Sequence, residues 1–219
     1  MMLTCLDTPP GSVAQEIARD KALMVQVAAG ARPALLRFYE ATDEAVVVGI
    51  AQQPEQQVDL AACAADGIPV LQRFSGGGTV FIGRGCLVFS VIAPHGPALQ
   101  PFDVGGAYRQ VLSYALDALC RLGVPAVFEP PCDLAVQGRK VCGTAQAQKR
   151  GVVLVHGSFL VDADLARIAR YLREPSVAPA YRAQRPHAAF LCNLADRGIG
   201  RDALRAALRA GWCGGNAFF

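Results

Sequence analysis

Short, wholly apolar runs alternate along this chain with amphipathic stretches, and turn-forming residues mark most of the boundaries. Ser12 followed by Gln15 makes a capping-box pattern, and Val13, Ile17, Met24 and Ala28 follow at rough helical spacing, which predicts a first helix. Leu35–Tyr39 and Ala45–Ile50 read as strands, the second wholly apolar and so expected to be central. Pro54 opens a short helix that stops at Gly67. Strands at Ile68–Phe74 and Cys86–Ile92 flank a glycine-rich connection. A helix from Ala107 to Leu122 then carries Val111, Ala115, Leu119 and Leu122 on one face. After Pro125 the pattern turns β-like. Leu134–Gln137, Lys140–Gln146 and Val152–Val161 are joined by hairpin turns at Gln137-Gly138 and Lys149-Arg150-Gly151. A capped helix (Asp162–Leu172), an irregular proline-containing segment and a last helix (Asp202–Ala210) complete the chain. Consecutive strands joined by tight turns predict an α+β fold: a mixed, largely antiparallel sheet flanked by helices, not a doubly wound parallel one.

The 219 residues show no repeat, linker or low-complexity stretch, so a single domain spanning 1–219 is expected. With 53% apolar and 18% charged residues the composition excludes disorder. The longest apolar runs, Ala45–Ala51 and Cys86–Ala93, are strand-sized and far short of the roughly 18–20 residues of a membrane span. The first thirty residues lack a basic segment followed by an apolar one, which points away from secretion and toward the cytoplasm. A net charge of +3 gives no argument for nucleic acid. Eight cysteines without a C-x-x-C pair or Cys/His ligand spacing read as reduced thiols, mostly small core hydrophobes. No carboxylate cluster suggests a metal held by the protein alone.

Two segments carry chemistry. In Arg73-Phe74-Ser75-Gly76-Gly77-Gly78-Thr79 three glycines remove every Cβ, so an anionic or carbonyl-bearing ligand can lie against backbone N–H groups, with Arg73 and Ser75 as added donors. A bare glycine triplet is more often a flexible hairpin tip. The register fits neither a P-loop nor a dinucleotide fingerprint. The second segment runs from Cys132 to Gln146. Strand alternation there puts Lys140, Cys142 and Thr144 on one face and Val141 and Gly143 on the other. An ammonium reaching into a pocket can stabilise charge on a carbonyl or phosphate oxygen, whereas a lysine at a strand end is more often simply solvated. His156 lies among apolar neighbours, as a satisfied buried histidine would.

Taken together, R-F-S-G-G-G-T-V (73–80), D-L-A-V-Q-G-R-K-V-C-G-T-A-Q (133–146) and V-H-G-S-F-L-V (155–161) resemble the lipoate-protein ligases, a family grouped with biotin ligases and octanoyltransferases. The resemblance extends over about residues 12–210, including Tyr181-Arg182 to Asn193-Leu194. It implies a sheet related to the class II aminoacyl-tRNA synthetase core. It also implies transfer of lipoate or octanoate to one lysine of a carrier: a lipoyl domain of a 2-oxoacid dehydrogenase, or the glycine-cleavage H protein. ATP with Mg²⁺ would activate the acid as an acyl-adenylate. By position, Arg73, Ser75, Gly76, Gly77, Gly78, Thr79, Gly143, Thr144 and His156 would bind the acyl substrate. Gly78, Thr79, Asp133 and Lys140 would meet the nucleotide, with Lys140 the catalytic group.

The chain departs from the ATP-using ligases in three places. Phe81-Ile82-Gly83-Arg84-Gly85-Cys86 stands where many carry His-Asp and a later Asn, Cys132 stands in place of a common Asn, and the small C-terminal domain of larger ligases has no counterpart. A separate accessory subunit would supply the last. The main alternative is an octanoyltransferase that takes octanoate from acyl-carrier protein without ATP, through a thiol nucleophile at Cys142 or Cys132. Biotin ligation and a non-catalytic acyl- or partner-binding role are weaker alternatives. No nucleic acid or membrane partner is expected.

Overall fold

The computed structural model describes residues 3–96 and 101–214. Its largest feature is a seven-stranded sheet built from β1 (Thr4–Cys5), β2 (Leu35–Tyr39), β6 (Cys86–Pro94), β7 (Ala126–Glu129), β8 (Asp133–Val136), β9 (Arg139–Lys149) and β10 (Val152–Leu160). The spatial order is β1-β2-β6-β10-β9-β8-β7, and every pairing is antiparallel except β1 with β2. A second sheet of three strands has the order β4-β3-β5, from β3 (Ala45–Val48), β4 (Val70–Gln72) and β5 (Val80–Ile82). Here β3 runs parallel to β4 and antiparallel to β5. The fold is thus α+β with a mixed, largely antiparallel sheet, as the turn spacing implies.

One face of the large sheet is dry. Helices α4 (Val104–Arg121) and α7 (Arg201–Cys213) cover it, with Phe89, Phe159 and Trp212 filling the interface. Trp212 stacks 4.8 Å from Phe89 and gives its indole N–H to Val111 O of α4, so its polar atom is satisfied as it is buried. The opposite face receives α1 (Val13–Ala28) and the small sheet. Covered on both sides, β6 buries eight of its nine residues, which explains an apolar run interrupted only by Ser90.

The capping box of α1 forms as predicted, with Ser12 Oγ accepting from Gln15 N and Gln15 Oε1 from Ser12 N. Both hairpin turns form too: Gln137-Gly138 and Arg150-Gly151 each place two successive residues at positive φ, the twist that matches paired strands. Other expectations are corrected. The helix expected from Pro54 to Gly67 divides into α2 (Pro54–Gln57) and α3 (Leu60–Ala65). Val58 is extended and bridges to Leu172, while Asp59 caps the second piece by accepting from Ala62 N. The apolar strand at 45 is central as expected, in the three-stranded sheet. Strand β5, inside the glycine-rich connection, has no periodicity long enough to read. Helix α4 starts three residues earlier than its apolar stripe because Asp103 caps it, accepting from Gly106 N. The helix expected from Asp162 is α5 (Leu165–Tyr171), capped by Asp164, and a short α6 (His187–Phe190) lies in the irregular segment. Among the described residues no helix is long and apolar enough to cross a membrane.

Candidate active site

The glycine loop connects β4 to β5 and is shaped from within by Arg73. This side chain is almost fully buried. Its Nη2 donates to Gly76 O and Gly78 O, each at 2.6 Å, its Nη1 to Val47 O at 3.2 Å, and its Nε to Ser75 Oγ at 3.0 Å. Burial lowers its pKa to about 10, which leaves it charged at neutral pH. Most of its donors are thereby spent on the loop's own oxygens, so its first duty is to hold the bend. Gly77 sits at φ +83. A Cβ on Gly49 would fall 2.1 Å from Gly77 O, so the residue after β3 must also be glycine for the loop to lie there. The Gly76 N–H bonds to Gln146 O of β9, which hangs the loop on the large sheet. Ser75 Oγ lies 2.7 Å from His156 Nε2, tying the loop to β10 as well. Thr79 Oγ1 is buried without a hydrogen-bond partner beside the cleft.

Lys140 enters the cleft from β9. Its face differs from the one alternation predicts, because a β-bulge interrupts the pairing with β8: Leu134 opposes Cys142, but Ala135 opposes Lys140, leaving Val141 as the extra residue. The bulge reverses the parity upstream of it. Lys140 therefore lies over Gly143, where a Cβ would stand 2.6 Å from Nζ, while Cys142 is buried in the core with the α4 face of the sheet. Thr144 borders the cleft with its hydroxyl committed to Cys132 O at 2.6 Å.

The ammonium pairs with Asp133 Oδ1 at 2.8 Å, and Tyr181 OH donates to Asp133 Oδ2 at 2.7 Å. Burial works against the charged lysine, but the Asp133 charge and hydrogen bond outweigh it and Lys140 titrates above the usual lysine value. Its side chain stays 24% exposed, toward the cleft. Cys132 also borders the cleft; burial and then Asp133 push its thiol up, against a smaller opposing pull from Lys140. Burial raises the Cys142 thiol well above its ordinary value.

Arg73, Gly78, Thr79, Cys132, Asp133, Lys140, Gly143, Thr144 and His156 thus meet around one cleft. Its floor is hydrocarbon from α1 and both sheets: Val13, Ile17, Val47, Val80, Ile82 and Val88. Such a site suits a chain-like acyl group with a polar, negatively charged head. Gly49 and Tyr181 escape sequence reasoning. Gly49 resembles any strand-end glycine, and Tyr181 reaches Asp133 only through the path of the segment after α5. Among the described residues no group of three or more His, Cys, Asp or Glu is placed to hold a metal ion.

The chain is similar to known proteins over most of its length. Residues 12–210 match the family described as the lipoyl protein ligase A/B catalytic domain. An octanoyltransferase LipM of Symbiobacterium thermophilum is 32% identical over 97% of this chain and 84% of its own. A crystal structure of lipoate-protein ligase A bound with ATP superimposes with a TM-score of 0.83 at 26% identity, covering 96% of this chain and 84% of that one. A bipartite lipoate protein ligase of Thermoplasma acidophilum, from a structural study that also includes its E2 lipoyl domain, gives 0.80 at 26% identity over 96% and 82%. The chain therefore belongs to the lipoyl protein ligase A/B catalytic domain family.

Proposed function

We propose that this protein attaches lipoyl or octanoyl groups in amide linkage to a lysine of a lipoyl carrier domain, by way of an acyl-adenylate. The observation that carries the reading is that the Lys140 ammonium and the glycine loop border one apolar-floored cleft. The carboxylate of the acid attacks the α-phosphate of ATP, and pyrophosphate leaves. Lys140 then faces both oxygens of the mixed anhydride that gather charge, the acyl carbonyl and the phosphate. The loop's backbone donors and the hydrocarbon floor hold the anhydride and exclude water. The carrier's lysine amine attacks the acyl carbon, and AMP departs.

The ATP-bound ligase structure supports ATP as co-substrate; in this proposal Mg²⁺ would enter on the nucleotide. The Thermoplasma system supports a lipoyl domain as acceptor and a second polypeptide as helper. Glycine-cleavage H protein is a further acceptor in this proposal, and the cytoplasm the compartment. Octanoyl transfer from acyl-carrier protein is the second reading. The long match to LipM and the cleft position of Cys132 favour it. The raised Cys132 thiol and the core burial of Cys142 weigh against a thiolate nucleophile.

The deciding assay incubates the purified protein with an apo lipoyl domain or apo H protein. The donor is either octanoate or lipoate with ATP and Mg²⁺, or octanoyl-carrier protein without ATP, and the acyl mass gain is read on the acceptor. Gain only in the first mixture fits the ligase; gain only in the second replaces it with the transferase. In the productive mixture Lys140→Ala should lose at least about a hundredfold in rate with its circular dichroism unchanged.

A further inference from the structure

Helix α1 carries two carboxylates on the stripe it buries. Glu16 and Asp20, one turn apart, are 0% and 1% exposed, alongside Val13, Leu23, Met24 and Val27. Arg37 of β2, 0% exposed, answers both. Its Nη2 pairs with Glu16 Oε2, and its Nη1 donates to Asp20 Oδ1 at 2.5 Å. The other oxygen of Asp20 accepts from Ser90 Oγ of β6 at 2.8 Å and lies 3.6 Å from His156 Nδ1. Burying three charges in the middle of a domain is costly, and hydrophobic residues in their place would dock the helix at least as well. The cluster is continuous, however, with the glycine loop. Asp20 faces His156, His156 bonds Ser75, and fully buried Ser75 is the residue on which Arg73 Nε also rests.

Proton accounting gives this chain a direction. Ser75 Oγ accepts from Arg73 Nε–H, and among the described residues His156 Nε2 is the acceptor within reach of its own hydrogen, so the hydroxyl donates there. The ring proton then belongs on Nδ1, facing the Asp20 carboxylate. The other tautomer would turn a nitrogen lone pair toward that carboxylate and strand the Ser75 hydrogen. We infer that Asp20 is a positioning residue of this site: by holding His156 in one tautomer, and through it Ser75, it fixes the shape of the glycine loop 55 residues away along the chain. Arg37 and Glu16 keep Asp20 in place and hold its charge inside the fold. The inference rests on the function proposed above only for the identity of the loop's ligand.

The test uses the full chain with Asp20→Asn and Ser75→Ala, and reads three quantities. These are the ring ¹⁵N shifts of His156 by long-range proton–nitrogen correlation, the amide resonances of Gly76–Gly78, and the KM for octanoate or lipoate against kcat. Wild type should show a protonated Nδ1 and a bare Nε2. In Asp20→Asn the ring should become a mixture of tautomers, the three glycine amides should move, and acyl KM should rise about tenfold with a smaller change in kcat. Ser75→Ala leaves the Asp20–Arg37–Glu16 cluster whole and reports the His156–Ser75 step alone. Should Asp20→Asn fail to fold, the wild-type ring shifts decide, and a bare Nδ1 there overturns the inference. Ser75→Ala too should shift the glycine amides and raise KM, with a lowered melting temperature from the lost buried hydrogen bonds but a cooperative unfolding transition. Unchanged glycine amides and KM in Ser75→Ala, or an unchanged His156 tautomer in a folded Asp20→Asn, would overturn the inference and leave the cluster a docking device for α1. If wild type acylates no carrier from any donor, the ligase reading fails, while the nitrogen and amide shifts still decide this one.

Discussion

Lys140 reaches its cleft because one neighbour is missing a side chain and another supplies a charge. The first condition is Gly143, where a methyl group would occupy the place of the ammonium. Since Nζ is the free end of a flexible chain, Gly143→Ala should let the lysine swing away from Asp133 rather than disrupt the sheet. We expect about a tenfold loss of acylation rate with less than about 1 kcal/mol lost in a urea titration. The second condition is Asp133, which raises the lysine pKa against burial. A raised folded value means that this pair's contribution to stability is complete below the ordinary lysine value of 10.5 and fades as pH climbs through the raised one. Asp133→Asn removes the lift and leaves the burial, so the alkaline limb of the pH–rate profile should move to lower pH. An unmoved limb would mean that another group controls it. The sequence shows that a lysine sits beside small residues, but simple alternation assigns it to the wrong face. The bulge at Val141 depends on how β8 lines up with β9, a pairing no local pattern states.

At the scale of elements, the loop's shape is a contract between strands that are distant in sequence. β3 ends at Gly49 so that Gly77 O can approach, and β9 offers Gln146 O to Gly76 N. Gly49→Ala places a methyl 2.1 Å from a backbone oxygen that cannot swing aside as a side chain would, so the whole bend must shift. We expect acyl KM to rise at least about tenfold while the helical circular dichroism signal is kept; a wild-type KM would show that the bend tolerates displacement. Helices and hairpins were the legible elements, because caps such as Ser12 and Asp164 and turns such as Gln137-Gly138 act within a few residues. The division of the strands into two sheets was not legible. The run at Ala45–Val48 is as apolar as any central strand, and its partners are fixed only by tertiary contacts. The buried carboxylates of α1 were not legible either: the sequence stripe reads Val13, Ile17, Met24 and Ala28, and only the structure shows Glu16 and Asp20 on the buried face.

Over the whole molecule the large sheet divides labour between its faces. The α4 and α7 side holds aromatic and aliphatic residues and supplies the bulk of the burial, whereas the α1 side carries the cleft and its charged residues. Glycine loop and lysine strand accordingly belong to different sheets, with the loop bonded across the gap at Gly76. A small molecule seated there grips both halves of the seam, much as a clasp does, and heat must release it before the halves can separate. Octanoate or lipoate at a hundred times its dissociation constant should therefore add about 2.7 kcal/mol and lift the unfolding midpoint by roughly 5–10 °C in scanning calorimetry. A midpoint that stays flat through the titration would show that the folded chain does not bind the acyl group in preference to the unfolded one.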